Sequence, residues 1–434
     1  MNAYYLNYIK RLVADYRVSA NADLADNAGN LLCKSGEVIG ETLWSRLTNA
    51  LPESELASSI TISQTFSSET LVREFEIFFN NDPWLEVFYQ KTQHRGTLER
   101  FLKPLSSHCL LMQHLTLLHH FLPEVFNRAL FCSWFLWLIY DDLDVDEAET
   151  QSAFSASLCH DLGLLQLDKA NLELEEGPGY YEHVNFSADL LRALGFDEAC
   201  CKAVREHHEH LDGSGQPRAL VGSQLSHAGQ YIHLLDSLYR LYAEHFRPRQ
   251  KALSDTIPII EMNSFSHFGF TAKATINVLN RGACSPGTVI APEVLRPLVQ
   301  DIQTRYHYIA FANGVIQDFT RAVGFRHDDK DLFGLQNCFI HIALTLDKST
   351  LLNPAYMRWL DHVVNSGIER EHHLIEVAFL MTNEVLFHLE KFKNQLTIYK
   401  QTCKSAPVKS QVESTLEKLQ SLPLPDMTNL QSVL

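Results

Sequence analysis

Two adjacent histidines, His207 and His208, close a helical apolar stripe of Cys200, Ala203 and Val204, and a glycine turn from Leu211 through Gly213 and Gly215 to Pro217 follows them. Ring nitrogens that end an otherwise core-facing stripe sit where a metal site is built. Upstream stand His160 and Asp161, followed by Leu162 and Gly163; downstream, Asp236 follows Leu234 and Leu235. An ordered set of imidazole and carboxylate donors of this kind binds divalent cations and cleaves phosphodiesters. Asp236 has Tyr231, Ile232, Leu234, Leu235 and Leu238 around it, which leaves no obvious solvent face. A carboxylate so placed must be paired or bound to metal.

The elements that would position these groups read as helices. Residues 146–165 form one helix carrying His160 and Asp161, residues 182–194 a second beginning near His183, residues 197–210 a third, and residues 225–246 a fourth with Asp236 in its middle. The loop signals at Glu175 to Gly179 and at Gly195 to Asp197 suit short connections in a helical domain. Ahead of them, residues 69–140 are helical in period, with breaks near Pro83, Pro104 and Pro123; His94, His108, His114, His119 and His120 there read as core or surface histidines. Residues 1–17 have helix period, Leu24 to Leu32 reads as a small hairpin, Glu41 to Leu47 as a helix, and residues 58–65 as a strand. This opening unit is either a sensory or docking module or a short cover packed on the next domain.

After Leu253 the pattern becomes a series of amphipathic helices from about Leu295 to Tyr399. His327, Asp328 and Asp329 read as a solvated loop, and Glu369 to His373 as an exposed helix start. From Ser405 a polar, proline-bearing stretch surrounds one short amphipathic helix and reads as a mobile, partner-binding tail. The segments are therefore 1–68, 69–120, 121–285, 286–404 and 405–434, in a mainly α chain.

Composition narrows the partners. The chain has 434 residues, 46% of them hydrophobic and 20% charged, with a net charge of −16, so duplex nucleic acid is not the expected partner. A small anionic nucleotide is compatible, since one or two arginines and a metal centre can hold it. Nine cysteines without a C-x-x-C pair read as buried thiols in a reducing compartment, the cytoplasm. The apolar run from Ala129 to Tyr140 is too short for a bilayer, which takes roughly 20 residues, and reads as a core helix.

The ordered motifs from Phe121 to Leu279 resemble the HD-GYP family of bacterial HD phosphohydrolases. His160-Asp161-Leu162-Gly163 is similar to its H-D-I-G-K, and His183 with Ser187 and Ala188 to its next histidine and following small residues. His207 to Pro217 is similar to H-H-E-x-x-D-G-x-G-Y-P, and Leu235-Asp236 followed by Arg247-Pro248 and Lys251 to Ser254 to A-D…R-P-Y-R-K-A-L-S. The resemblance implies an HD-type helical bundle preceded by a small N-terminal α/β hairpin module, and the periodicity beyond it adds an all-helical C-terminal domain. The resemblance also implies a cytoplasmic signalling phosphodiesterase that opens cyclic di-GMP or a related cyclic dinucleotide.

By the same resemblance His160, Asp161, His183, His207, His208 and Asp236 hold two or three divalent ions, with Asp161 bridging and central to catalysis, and Arg247 holds a phosphate. Donors without thiolate suit iron or manganese. The departures are Leu164 for a lysine, Gln216 for the signature tyrosine, and Gln230 for an arginine. Asn127 or Arg128 stands where the family has an early histidine; Glu124, one turn earlier, is a substitute ligand, and Asn127 a weak one. The alternative is a catalytically degenerate module that keeps the metal and senses nucleotide or docks a signalling protein; a third reading is hydrolysis of another phosphate compound. Under each of these the expected partners include a second copy of the chain.

Overall fold

The computed structural model describes residues 2–14, 17–92, 95–174, 179–211, 213, 215–264, 269–283, 292–325 and 329–422. The expectations placed on His94, Glu175 to Pro178, Asp212, Ser214, His327, Asp328 and residues 423–434 lie outside them. The protein is mainly helical, with two small two-stranded sheets among the described residues, and divides into two compact units. The first comprises residues 1–209, 216–218 and 223–240; the second comprises 210–215, 219–222 and 241–434.

In the first unit, helix Pro123–Asp142 is buried on every side, from Phe126 through Trp134 to Tyr140. Pro123 starts it at the position where a missing N–H costs nothing. Trp134 is fully buried, with Phe79 at 4.6 Å and Phe88 at 5.6 Å between ring centroids, while Phe131 meets Tyr239 at 5.1 Å. No helix of the described residues is long and apolar enough to cross a membrane.

The small N-terminal elements follow the expected order. Helix Ala3–Val13 precedes strand Val18–Ala20, which pairs antiparallel with Ile60–Ile62, and Leu24–Ala25 pairs with Leu31–Cys33. The hairpin turn is held by Asp26, whose carboxylate accepts from the backbone N–H of Ala28 and Asn30, both at 2.9 Å. These elements pack on the helices that follow. The Gln113 amide on helix Cys109–Phe121 accepts from Ile62 N at 3.0 Å and donates to the Tyr5 hydroxyl at 2.9 Å, and Asn2 donates to the Gln166 carbonyl at 2.8 Å.

The second unit contains the long helices Pro292–Val323, Lys330–Ser349 and His373–Thr402, with shorter ones between. Expected as part of a mobile tail, Ala406–Ser421 is instead a packed helix. Its Val408, Val412, Leu416 and Leu419 join a core with Ile316, Leu335 and Phe392, because its apolar residues recur at helical spacing and have a partner surface to bury against.

Candidate metal centre

Four helices of the first unit bring the donors together, and two of them stop earlier than their apolar periodicity suggests. Helix Glu147–Cys159, capped by Asp146 on the N–H groups of Ala148 and Glu149, ends just before His160, and a tight turn at Leu162–Gln166 follows Asp161. Helix Glu198–Glu206, capped by Asp197, ends just before His207. Continuing either helix would fan consecutive side chains about 100° apart. Breaking it lets neighbours converge: His160 with Asp161, and His207 with His208. Both helices also point their C-terminal ends at the site, where their dipoles favour a cation.

Gly163 explains why helix His183–Ala193 can start so close. A Cβ on Gly163 would stand 2.1 Å from the His183 carbonyl oxygen and 2.9 Å from Phe186 Cβ, and the Gly163 N–H donates to Ser187 Oγ at 2.7 Å. The requirement is a close approach of two backbones.

His160, His183 and His207 are oriented in one way. Each Nδ1 lies against the backbone carbonyl three residues earlier: Ser157 at 2.7 Å, Tyr180 at 2.6 Å and Val204 at 2.6 Å. A carbonyl only accepts, so each Nδ1 carries a proton and Nε2 is the ring atom turned inward. His183 Nε2 lies 3.1 Å and His207 Nε2 3.5 Å from Asp161 Oδ1, and the two nitrogens are 3.4 Å apart. His208 completes this group, one ligand atom from each of Asp161, His183, His207 and His208 falling within 4.8 Å of the others. Burial pushes His207 down to about 4, and burial with His207 and His183 alongside holds His208 well below the usual imidazole range, so both rings are neutral at pH 7.

The opposite oxygen of Asp161 faces a second group. His160, Asp161 and Asp236 also share a 4.8 Å neighbourhood, with His160 Nε2 3.4 Å from Asp161 Oδ2 and 3.6 Å from Asp236 Oδ1. Arg128 lies in this group. Its Nη2 donates to Asp161 Oδ2, its Nε is 2.6 Å from Asp236 Oδ1, and Arg240 Nε meets Asp236 Oδ2 at 3.1 Å. Burial alone would raise the Asp161 carboxyl, but the charges of His160 and Arg128 hold it well below the usual carboxylate range. Arg128 and Arg240 do the same for Asp236. Burial opposes charge on His160, yet Asp161 beside it lifts it to about 9.

The first group fits a divalent cation. It offers nitrogen and oxygen donors, and His208 Nε2 and Asp161 Oδ1 are buried without a hydrogen-bond partner. In the second, His160 Nε2, Asp236 Oδ1 and Arg128 Nε are likewise without a hydrogen-bond partner, but Arg128 is ion-paired with both carboxylates, so a cation there would have to displace it. The six donors expected from the sequence thus fall into a set of four and a set of three that share Asp161, the expected bridge. Glu124, also expected as a ligand, is on the exposed first turn of its helix and belongs to neither set, whereas Arg128 one turn later points inward. Arg247, expected to hold a phosphate, lies exposed on a tight turn of the second unit, Arg247–Arg249.

At the positions of departure, Leu164 is buried with Leu167 and Tyr180 in an apolar cluster. Gln216 is exposed, its N–H donating to the His208 carbonyl at 3.0 Å, and Gln230 is buried and donates to the Glu209 carbonyl at 2.9 Å. The sequence reading misses Arg128 and Arg240 as parts of the centre. The signal for Arg128 is present: it is the sole charge between Val125 and Tyr140, a run buried almost throughout, and a buried guanidinium requires carboxylate partners.

Residues 122–271 match the HD domain family. The 3'3'-cGAMP-specific phosphodiesterase 3 of Vibrio cholerae is 28% identical over 134 residues, a match that covers 29% of this chain and 29% of that protein. A crystal structure of a cyclic GMP-AMP specific phosphodiesterase of Vibrio cholerae aligns over 68% of this chain and 93% of that one, at 14% identity and a TM-score of 0.28.

Proposed function

Starting from an HD phosphohydrolase domain over residues 122–271, we propose that this protein is a metal-dependent phosphodiesterase acting on a cyclic dinucleotide. The observation that carries the reading is the convergence of imidazole nitrogens from His183, His207 and His208 on Asp161, two of them at its Oδ1. Thiol ligands are absent from both donor groups among the described residues, which favours iron or manganese over a structural zinc. A cation held there by Asp161, His183, His207 and His208 would lower the pKa of a bound water and offset the negative charge on the phosphoryl oxygens.

The chain's own residues supply the rest. The carbonyls of Ser157, Tyr180 and Val204 fix the rings, so little reorganisation is needed at the moment of reaction. His160 Nε2 lies 3.4 Å from Asp161 Oδ2 and 3.6 Å from Asp236 Oδ1, where the two carboxylates favour its charged form. As to substrate, the named specificity of the Vibrio relative makes 3'3'-cGAMP the first candidate and cyclic di-GMP the second.

The test is elemental analysis of anaerobically purified protein together with chromatography of products from both nucleotides. His207→Ala should remove the metal and turnover together; hydrolysis by metal-free protein would end this reading. A degenerate module that binds nucleotide without cleaving it is the second reading. It is favoured by the buried, apolar Leu164, which supplies no cation for a phosphate oxygen, and it predicts bound metal with no product from either nucleotide.

A further inference from the structure

We propose that the Arg128 guanidinium is itself the second cation of this centre, so that the chain binds one divalent ion, at Asp161, His183, His207 and His208, where a two-metal site would bind two. This rests on the metal-centre reading above but not on turnover. The geometry is specific. Asp161 presents Oδ1 to the imidazoles of His183 and His207 and Oδ2 to Arg128, and Arg128 spans from that oxygen to Asp236 Oδ1. A bridging carboxylate with a metal on each oxygen would be arranged the same way, with the guanidinium in the place of one ion.

Charge and burial say that the arginine stays. Asp161 and Asp236 carry two negative charges; Arg128 and Arg240 carry two positive ones, and Arg240 is fixed on the remaining Asp236 oxygen. The pair of carboxylates is therefore neutralised before any metal arrives. A divalent ion entering between them would have to expel Arg128, whose side chain is 9% exposed on a helix with Phe126, Ala129, Leu130 and Phe131 buried around it. An expelled guanidinium would be left as an unpaired buried charge, the costly case.

The two cations differ chemically. A guanidinium has no open coordination position and does not ionise water, but its remaining N–H groups donate to phosphate oxygens. In this centre one ion alone can activate water, and the second positive charge is a fixed donor that cannot be chelated away.

The test uses the full chain, stripped with EDTA and titrated with Mn2+, read by elemental analysis and by electron paramagnetic resonance. One Mn2+ per chain, with the six-line spectrum of an isolated ion, is expected for the wild type. Arg128→His should take up two, with the many-line spectrum of a coupled pair, and Arg128→Gln, which frees both carboxylates without adding a ligand, should also bind a second ion. Two coupled ions in the wild type would overturn the role given to Arg128 and leave the metal centre standing, and that measurement depends on no variant folding. A folded Arg128→His that stays at one ion would overturn it too. No bound ion in the wild type would instead overturn the metal centre itself.

Discussion

Gly163→Ala is the smallest change that should break the centre without touching a ligand. The new methyl carbon would lie 2.1 Å from the His183 carbonyl oxygen, 2.9 Å from its carbon and 2.9 Å from Phe186 Cβ. Ordinary contact begins at about 3.5 Å, so the start of helix His183–Ala193 must retreat by about an ångström or more. Two of the neighbours are backbone atoms, which cannot turn aside as a side-chain tip can. Overpacking of this kind costs about 1–3 kcal/mol, and each kcal/mol lowers Tm by about 2–4 °C in a unit of this size.

The same retreat carries His183 away from Asp161 Oδ1, now 3.1 Å from its Nε2, and strains the Gly163 to Ser187 hydrogen bond. Disturbing the groups that orient a ligand typically costs about 10–100-fold in metal affinity. Thermal denaturation of the EDTA-treated protein reads the first effect, and a Mn2+ titration at matched fold content reads the second. An alanine variant with unchanged Tm and unchanged affinity would refute the claim that the two backbones meet at Gly163.

Gln113→Leu removes both an acceptor for Ile62 N and a donor to the Tyr5 hydroxyl, all buried, and should cost about 1–3 kcal/mol for each group left unpaired; denaturant unfolding with no loss would contradict the bracing role. His114 is stacked on Tyr5 at 4.5 Å and burial lowers it to about 4. Between the unfolded value near 6.5 and that folded value the unfolded chain binds one proton more than the folded one. Its share of stability is therefore lost as pH falls from about 6.5 toward 4, by up to about 1.4 kcal/mol per pH unit. His114→Phe should flatten that limb of the stability curve, and an unchanged slope would show that the proton goes elsewhere.

Most of the donor set is legible in the sequence because each member breaks a local rule: a histidine pair ending an apolar stripe, a carboxylate inside one, a glycine two residues after an aspartate. What stays hidden depends on contacts distant in sequence. Arg128 and Asp161 are 33 residues apart, and nothing local says that one side chain reaches the other. Glu124 reads as a ligand because it has the right chemistry one turn away, but one helical turn decides whether a group faces the core or water. Arg240 looks like an ordinary surface partner four residues after Asp236, yet it holds the far oxygen of a buried carboxylate. The helices that end at Cys159 and Glu206 read longer in the sequence because apolar periodicity continues through the histidines that follow them.

The hydrogen bond from Asn2 to the Gln166 carbonyl ties the opening helix to the turn that begins one residue after Asp161. The two segments are separated by 164 positions, yet neither can come loose without exposing a polar group of the other. In native-state hydrogen exchange the amides of helix Ala3–Val13 should therefore open in one cooperative step with those around the metal ligands. Removal of the first helix would act at a distance on the rigidity of the bridging carboxylate, making the opening segment a structural strut of the centre rather than an independent appendage.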